Sequence, residues 1–108
     1  MPVQIISTPM RITAFISGEI DHHNAAQIRE AIDSAVEKQC PQILRIDFSD
    51  VTFMDSSGVG LVMGRYKIVK SYGGNIEIVN MSPQIYKIMK ISGIEKIAKI
   101  IQKELQNK

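Results

Sequence analysis

Two short apolar runs, Ile43 to Phe48 and Asn75 to Asn80, flank a stretch of helical periodicity, and this arrangement constrains the fold more than any other feature of the chain. A strand, a helix and a second strand in that order form a parallel pair joined by a right-handed crossover. The first run is interrupted only by Arg45 and Asp47, the pattern of a central strand. Between the runs, Val59, Val62, Met63, Tyr66 and Val69 fall at helical spacing, and Gly73-Gly74 ends the pattern where a left-handed cap is needed.

The flanking segments extend this frame in both directions. Val3, Ile5, Ile12, Ala14 and Ile16 alternate on either side of Ser7-Thr8-Pro9, which predicts an amino-terminal hairpin. Ala25, Ile28, Ile32, Ala35 and Val36 predict a helix with Asn24 as N-cap, stopped by Pro41 beyond Cys40. Ser82-Pro83 opens a third helix carrying Ile85, Ile88 and Met89, which ends near Gly93. Beyond it, Ile94, Ile97, Ala98, Ile101 and Leu105 suit a helix, while Ile100-Ile101 equally suits a brief edge strand. The predicted fold is α/β, one domain over residues 1–108, with a mixed, mostly parallel sheet covered by about four helices.

Composition narrows the function classes. With 44% hydrophobic but only 6% aromatic residues, the core must be built from Ile, Val, Leu, Ala and Met. The lone Cys40 cannot close an intrachain disulfide and no cleavable leader precedes Val3, so a reducing cytoplasm is expected. No apolar run approaches the roughly 20 residues that cross a bilayer, so no membrane span is expected. Lys87, Lys90, Lys96, Lys99, Lys103 and Lys108 are spaced among Ile and Glu instead of clustered, and with a net charge of +2 they read as a solvated face and not a nucleic-acid arm.

Function in open α/β sheets sits in loops at the carboxyl ends of strands, here Ser49 to Ser57. Asp55-Ser56-Ser57-Gly58 puts two hydroxyls and a carboxylate at a helix start, where backbone N–H groups lack intrahelical partners. Capping alone would account for Asp55 or Ser56. Gly58, Gly60 and Gly64 demand more, since a glycine in a helix interior costs roughly 1 kcal/mol against alanine. They serve either tight packing on the sheet or a bare helix start that admits another molecule.

Enzymatic readings are weak. The glycines match neither Gly-x-Gly-x-x-Gly nor a Lys-bearing phosphate loop, and the serines are not framed as Gly-x-Ser-x-Gly. A small nucleotide-binding or hydrolytic protein using Ser56 and the Gly58 to Gly60 helix start is the alternative. His22-His23 could recruit only Asp21 and Glu19 toward a metal set, so neither metal nor other cofactor is expected.

Gly18-Glu19-Ile20-Asp21-His22-His23, Phe53-Met54-Asp55-Ser56-Ser57-Gly58-Val59-Gly60 and Gly64-Arg65-Tyr66-Lys67 together resemble the anti-sigma factor antagonists of the STAS domain family, from about Ile12 through Gly93. The Asp-His-His and Gly-Arg-Tyr-Lys segments resemble the sporulation branch more than the general-stress branch. The resemblance implies that Ser56 is phosphorylated by an anti-sigma factor that is also an ATP-dependent serine kinase. It also implies that only the unphosphorylated form binds that kinase and frees a sigma factor, and that a serine phosphatase resets Ser56. Asp21 is implicated in partner contact, with Glu19, Ser57 and Gly58 as neighbours; Asp55 and Gly60 complete the expected surface. The chain would be a kinase substrate and not an enzyme, and a monomer is expected.

The chemistry suits the location. A phosphoserine at a helix start gains from the N–H groups and the dipole, so it should not melt the helix. It would act between molecules, adding charge to a surface that Asp55 and Asp21 already make acidic.

Overall fold

The computed structural model describes residues 2–101. The elements run β1 (Val3–Ser7), β2 (Arg11–Ile20), α1 (Ala25–Gln39), β3 (Ile43–Met54), α2 (Ser56–Ser71), β4 (Asn75–Val79), α3 (Pro83–Ser92), a 3-10 turn (Ile94–Lys96) and β5 (Lys99–Ile101). The strands form one sheet in sequence order, with β1 antiparallel to β2 and every later neighbour parallel. The mixed, mostly parallel sheet is therefore as the sequence predicts.

Alternation decides which face each strand buries. Ile12, Ala14 and Ile16 of β2, Leu44, Ile46 and Phe48 of β3, and Ile76 and Ile78 of β4 join one apolar cluster with Ile28, Ile32 and Val36 of α1. The α2 and α3 stripes complete that cluster with Leu61, Val62, Val69, Ile85 and Met89. The other face is more polar, and there Arg45 pairs with Glu77 at 2.8 Å across β3 and β4.

Helix ends largely follow the residue types present. Ser82 Oγ accepts from Ile85 N–H at 3.2 Å with Pro83 at the first helical position, and Gly93 closes α3 with φ of 85°. Asn24 stands at the N-cap of α1 but makes no side-chain cap there, because its amide is engaged in the preceding loop. The buried stripe of α2 also differs from the predicted one. It is Gly58, Leu61, Val62, Arg65 and Val69, while Met63 faces outward. An ion pair keeps Arg65 inside, and the apolar Met63 is left on the surface.

Two further expectations are corrected. Among the described residues there are three α-helices, not about four. Ile94–Lys96 is a 3-10 turn and Lys99–Ile101 pairs with β4, so the edge-strand alternative holds there, and the remainder of the expected fourth helix lies outside the described residues. The segment Ser49 to Met54 is strand and not loop: β3 continues beside β2 from Ser17↔Asp50 to Ile20↔Met54, while its pairing with β4 stops at Asp47↔Val79.

Asp47 marks the departure point. Its Oδ1 accepts from Ser49 N–H at 2.8 Å and its Oδ2 from Asn80 Nδ2 at 3.1 Å, so a carboxylate only 7% exposed is satisfied on both oxygens. Register shifts between Phe15 and Ser17 and between Gly18 and Glu19, with Gly18 at φ of 82°, bend the β2 side. Beyond Asp47 the two strands form a ribbon that projects past the rest of the sheet.

Candidate functional site

The ribbon ends with Ile20 and Met54 as register partners, so Asp21 and Asp55 follow one residue beyond neighbouring strand ends. Asp55 N–H donates to Ile20 C=O at 3.1 Å, which ties the start of α2 to the end of β2. The candidate site is this tip together with the first turns of α1 and α2.

The β2–α1 loop is held by its own polar side chains. Asp21 Oδ1 accepts from the backbone N–H groups of His23 at 2.9 Å and Asn24 at 3.2 Å. In return, Asn24 Oδ1 accepts from Asp21 N–H at 3.0 Å, and Asn24 Nδ2 donates to Glu19 C=O at 2.7 Å. This reciprocal arrangement fixes Asp21 as an Asx-type turn residue with its carboxylate partly exposed. Glu19 is exposed on the ribbon, opposite Phe53 in the register. His22 and His23 are exposed, with ring centroids 4.0 Å apart. Among the described residues no group of three His, Cys, Asp or Glu is placed to hold a metal ion.

Asp55 caps α2. Its backbone is extended and its Oδ1 accepts from Ser57 N–H at 2.7 Å. That hydrogen bond holds its carboxyl below the ordinary value of 3.8 against the opposing effect of burial. The Ser57 hydroxyl, the His22 charge and the His22 backbone N–H add to the lowering.

With the cap supplied by Asp55, Ser56 is released from that duty. It is the first residue of α2, it is exposed, and its hydroxyl makes no hydrogen bond to a described residue. Ser57 is half-buried and faces a groove of about 320 Å³ between α1 and α2. Ala25 and Arg29 line that groove from α1, and Gly60, Gly64 and Arg65 line it from α2. The two serines thus differ in environment although adjacent in sequence.

The glycines divide between the two roles left open by the sequence. Gly58 is buried, and a Cβ there would overlap Met54 Sδ and Cγ, so its role within the fold is packing. Gly60 and Gly64 would meet nothing within 4 Å, so no internal contact demands a glycine at either position.

Sequence reasoning missed Arg29 and left Phe53 without a role. Phe53 is 51% exposed on the ribbon, two residues before the N-cap of α2. Its place in a strand would have signalled this had the strand been extended past Phe48. Arg29 and Asp33 look like an i, i+4 pair within one helix, yet Asp33 Oδ1 lies 2.7 Å from Arg65 Nε of α2.

Residues 4–106 match the STAS domain, and the chain belongs to the STAS domain family. Relatives at 30% identity or more include anti-sigma factor antagonists. The chain is 35% identical over 91 residues to the anti-sigma F factor antagonist of Paenibacillus polymyxa, covering 83% of this chain and 77% of the relative. It is 36% identical over 88 residues to the anti-sigma-B factor antagonist of Bacillus subtilis strain 168, covering 82% and 79% respectively. Among solved structures it resembles the anti-sigma factor antagonist SpoIIAA in its unphosphorylated form, with a TM-score of 0.79, 32% identity, and coverage of 91% of this chain and 86% of that one.

Proposed function

We propose that this chain is an anti-sigma factor antagonist switched by phosphorylation of Ser56. The observation that carries the reading is the exposed Ser56 hydroxyl, free of hydrogen bonds to described residues at the first position of a helix capped by its neighbour. Relatives named as antagonists of anti-sigma factors, and a SpoIIAA structure designated unphosphorylated, support it.

In this reading the unphosphorylated protein docks through the ribbon tip onto an anti-sigma factor that is also a serine kinase, and a sporulation sigma factor is thereby released. Asp21, Glu19, Asp55, Ser57, Gly58 and Gly60 form or support the contact surface. The kinase brings ATP and the catalytic base, transferring the γ-phosphoryl group to Ser56 Oγ with loss of the hydroxyl proton to that base and release of ADP. The phosphate adds about −1.5 to −2 charge beside Asp21 and Asp55, so the surface becomes repulsive to acidic groups and costly to desolvate, while the N–H groups of the first turn tolerate it. A serine phosphatase restores the binding form. The protein works as a cytoplasmic monomer and has no catalytic activity of its own.

The test is incubation with ATP, Mg2+ and the cognate anti-sigma factor, with the modified residue located by mass spectrometry. Phosphate on Ser56 and loss of binding by the modified protein are expected. Phosphate on Ser57, or undiminished binding after modification, overturns the proposal.

A further inference from the structure

The groove between α1 and α2 differs in charge from the tip beside it. Asp21 and Asp55 make the tip acidic, whereas the groove is bordered by two guanidinium groups, Arg29 and Arg65. Only one of these is answered. Arg65, 5% exposed, pairs with Asp33 at 2.7 Å and donates from Nη1 to Leu61 C=O at 3.3 Å. Arg29 is exposed and makes no ion pair or hydrogen bond with any described residue. It stands close enough to Arg65 for the two like charges to oppose each other.

The shape is equally specific. About 320 Å³ is near the small end of the roughly 300 to 1,000 Å³ usual for ligand sites and admits one or two side chains. Open positions at Gly60 and Gly64 leave the α2 wall bare, so an approaching backbone could come within contact distance. Ser57 continues the lining to within one residue of Ser56, so an occupant would be part of the same interface.

From this geometry we infer that the α1–α2 groove is a second docking point for the anti-sigma factor, receiving a carboxylate-bearing side chain of that partner against Arg29. The inference rests on the proposed function and adds a partner group to it. The interface is then bipolar: the acidic tip faces a basic region of the partner, and the cationic groove faces an acidic one. Two opposite charge matches at neighbouring points fix one docking orientation, which a single acidic patch cannot do.

The experiment is titration of the anti-sigma factor, in the unphosphorylated state of this protein, with wild type, Arg29→Ala and Arg29→Glu at low and at raised salt. Circular dichroism melting checks that the variants are folded. Arg29→Glu should bind at least about tenfold more weakly and Arg29→Ala about threefold, with the loss shrinking at raised salt. A Glu→Lys or Asp→Lys change in the partner should restore Arg29→Glu selectively. Folded variants that both bind within about twofold of wild type overturn the inference while leaving the Ser56 switch standing. Failure of wild type to bind any anti-sigma factor removes the proposed function, and this inference with it.

Discussion

Arg65 of α2 and Asp33 of α1 form a buried ion pair, Nε to Oδ1 at 2.7 Å, that joins the two helices flanking the groove. Burial lowers the pKa of Arg65, and Asp33 works against that shift. Removing the carboxylate strands a guanidinium that is only 5% exposed. Asp33→Ala should therefore destabilise the fold by about 3 kcal/mol in urea titrations, whereas the double change Arg65→Met with Asp33→Leu should cost far less. Equal losses from both would mean that the pair itself stabilises the helices.

Gly58 and Gly60 should respond oppositely to alanine. At Gly58 the added methyl overlaps Met54, itself buried, and overpacking of this kind costs about 1 to 3 kcal/mol. At Gly60 nothing lies within 4 Å, so the gain in helix propensity should stabilise by about 0.5 to 1 kcal/mol. Partner binding should nevertheless weaken in Gly60→Ala if the bare surface is used for docking. Calorimetric melting with a binding titration checks both halves.

Much of this was legible in the sequence, and three of the misses share a cause. Order and parallel pairing follow from periodicity, and the α3 boundary from Ser82-Pro83 and Gly93, while residue type left the α2 cap to Asp55 or Ser56 and the structure gives it to Asp55. The end of β3 was misjudged because Asp47, Ser49 and Asp50 break the apolar run, and only the extra length of β2 carries the strand on to Met54. The α2 stripe was misread because periodicity counts Met63 as inside and Arg65 as outside, whereas a partner on another helix reverses them. The Asn24 side chain was assigned to α1, since no local pattern reveals that it serves Asp21 and Glu19. Each of these three involves a polar residue whose partner is on another element or in the neighbouring loop.

Ser56 itself should be nearly silent for stability. Because Asp55 supplies the cap, Ser56→Ala is expected within about 0.5 kcal/mol of wild type, with binding to the anti-sigma factor retained and phosphorylation abolished. Ser56→Asp should remain folded and bind with intermediate affinity, since one carboxylate carries about half the charge of a phosphate. Isothermal titration of the four forms, including the phosphorylated protein, checks the order.

Asp55 gives a pH dependence of defined sign. Its folded pKa is lowered, chiefly by the Ser57 N–H, so its contribution is complete above the ordinary value of 3.8 and is lost as pH falls below that value through the folded one. Stability of wild type should decline through this acid window, and Asp55→Asn should flatten the decline there while leaving its slope near neutrality unchanged. Urea midpoints measured across the window decide it; an unaltered acid slope in the variant would rule the cap out as its source.

The ribbon beyond Asp47 has a consequence for how such proteins diversify. Its strands pair with each other and leave β4 behind, yet Ile20, Phe48, Val51 and Met54 are buried in the same cluster as Leu44, Ile46 and Ile78, while Glu19, Thr52 and Phe53 are exposed. On the proposed function, substitutions at the exposed positions of the ribbon should alter recognition, whereas those at its buried positions should also destabilise the fold. Relatives directed at different sigma pathways, F and B, are almost equally similar to this chain. On the proposed function, a ribbon with one face in the core and the other exposed lets residues such as Glu19 and Phe53 differ between such pathways while the same core is kept.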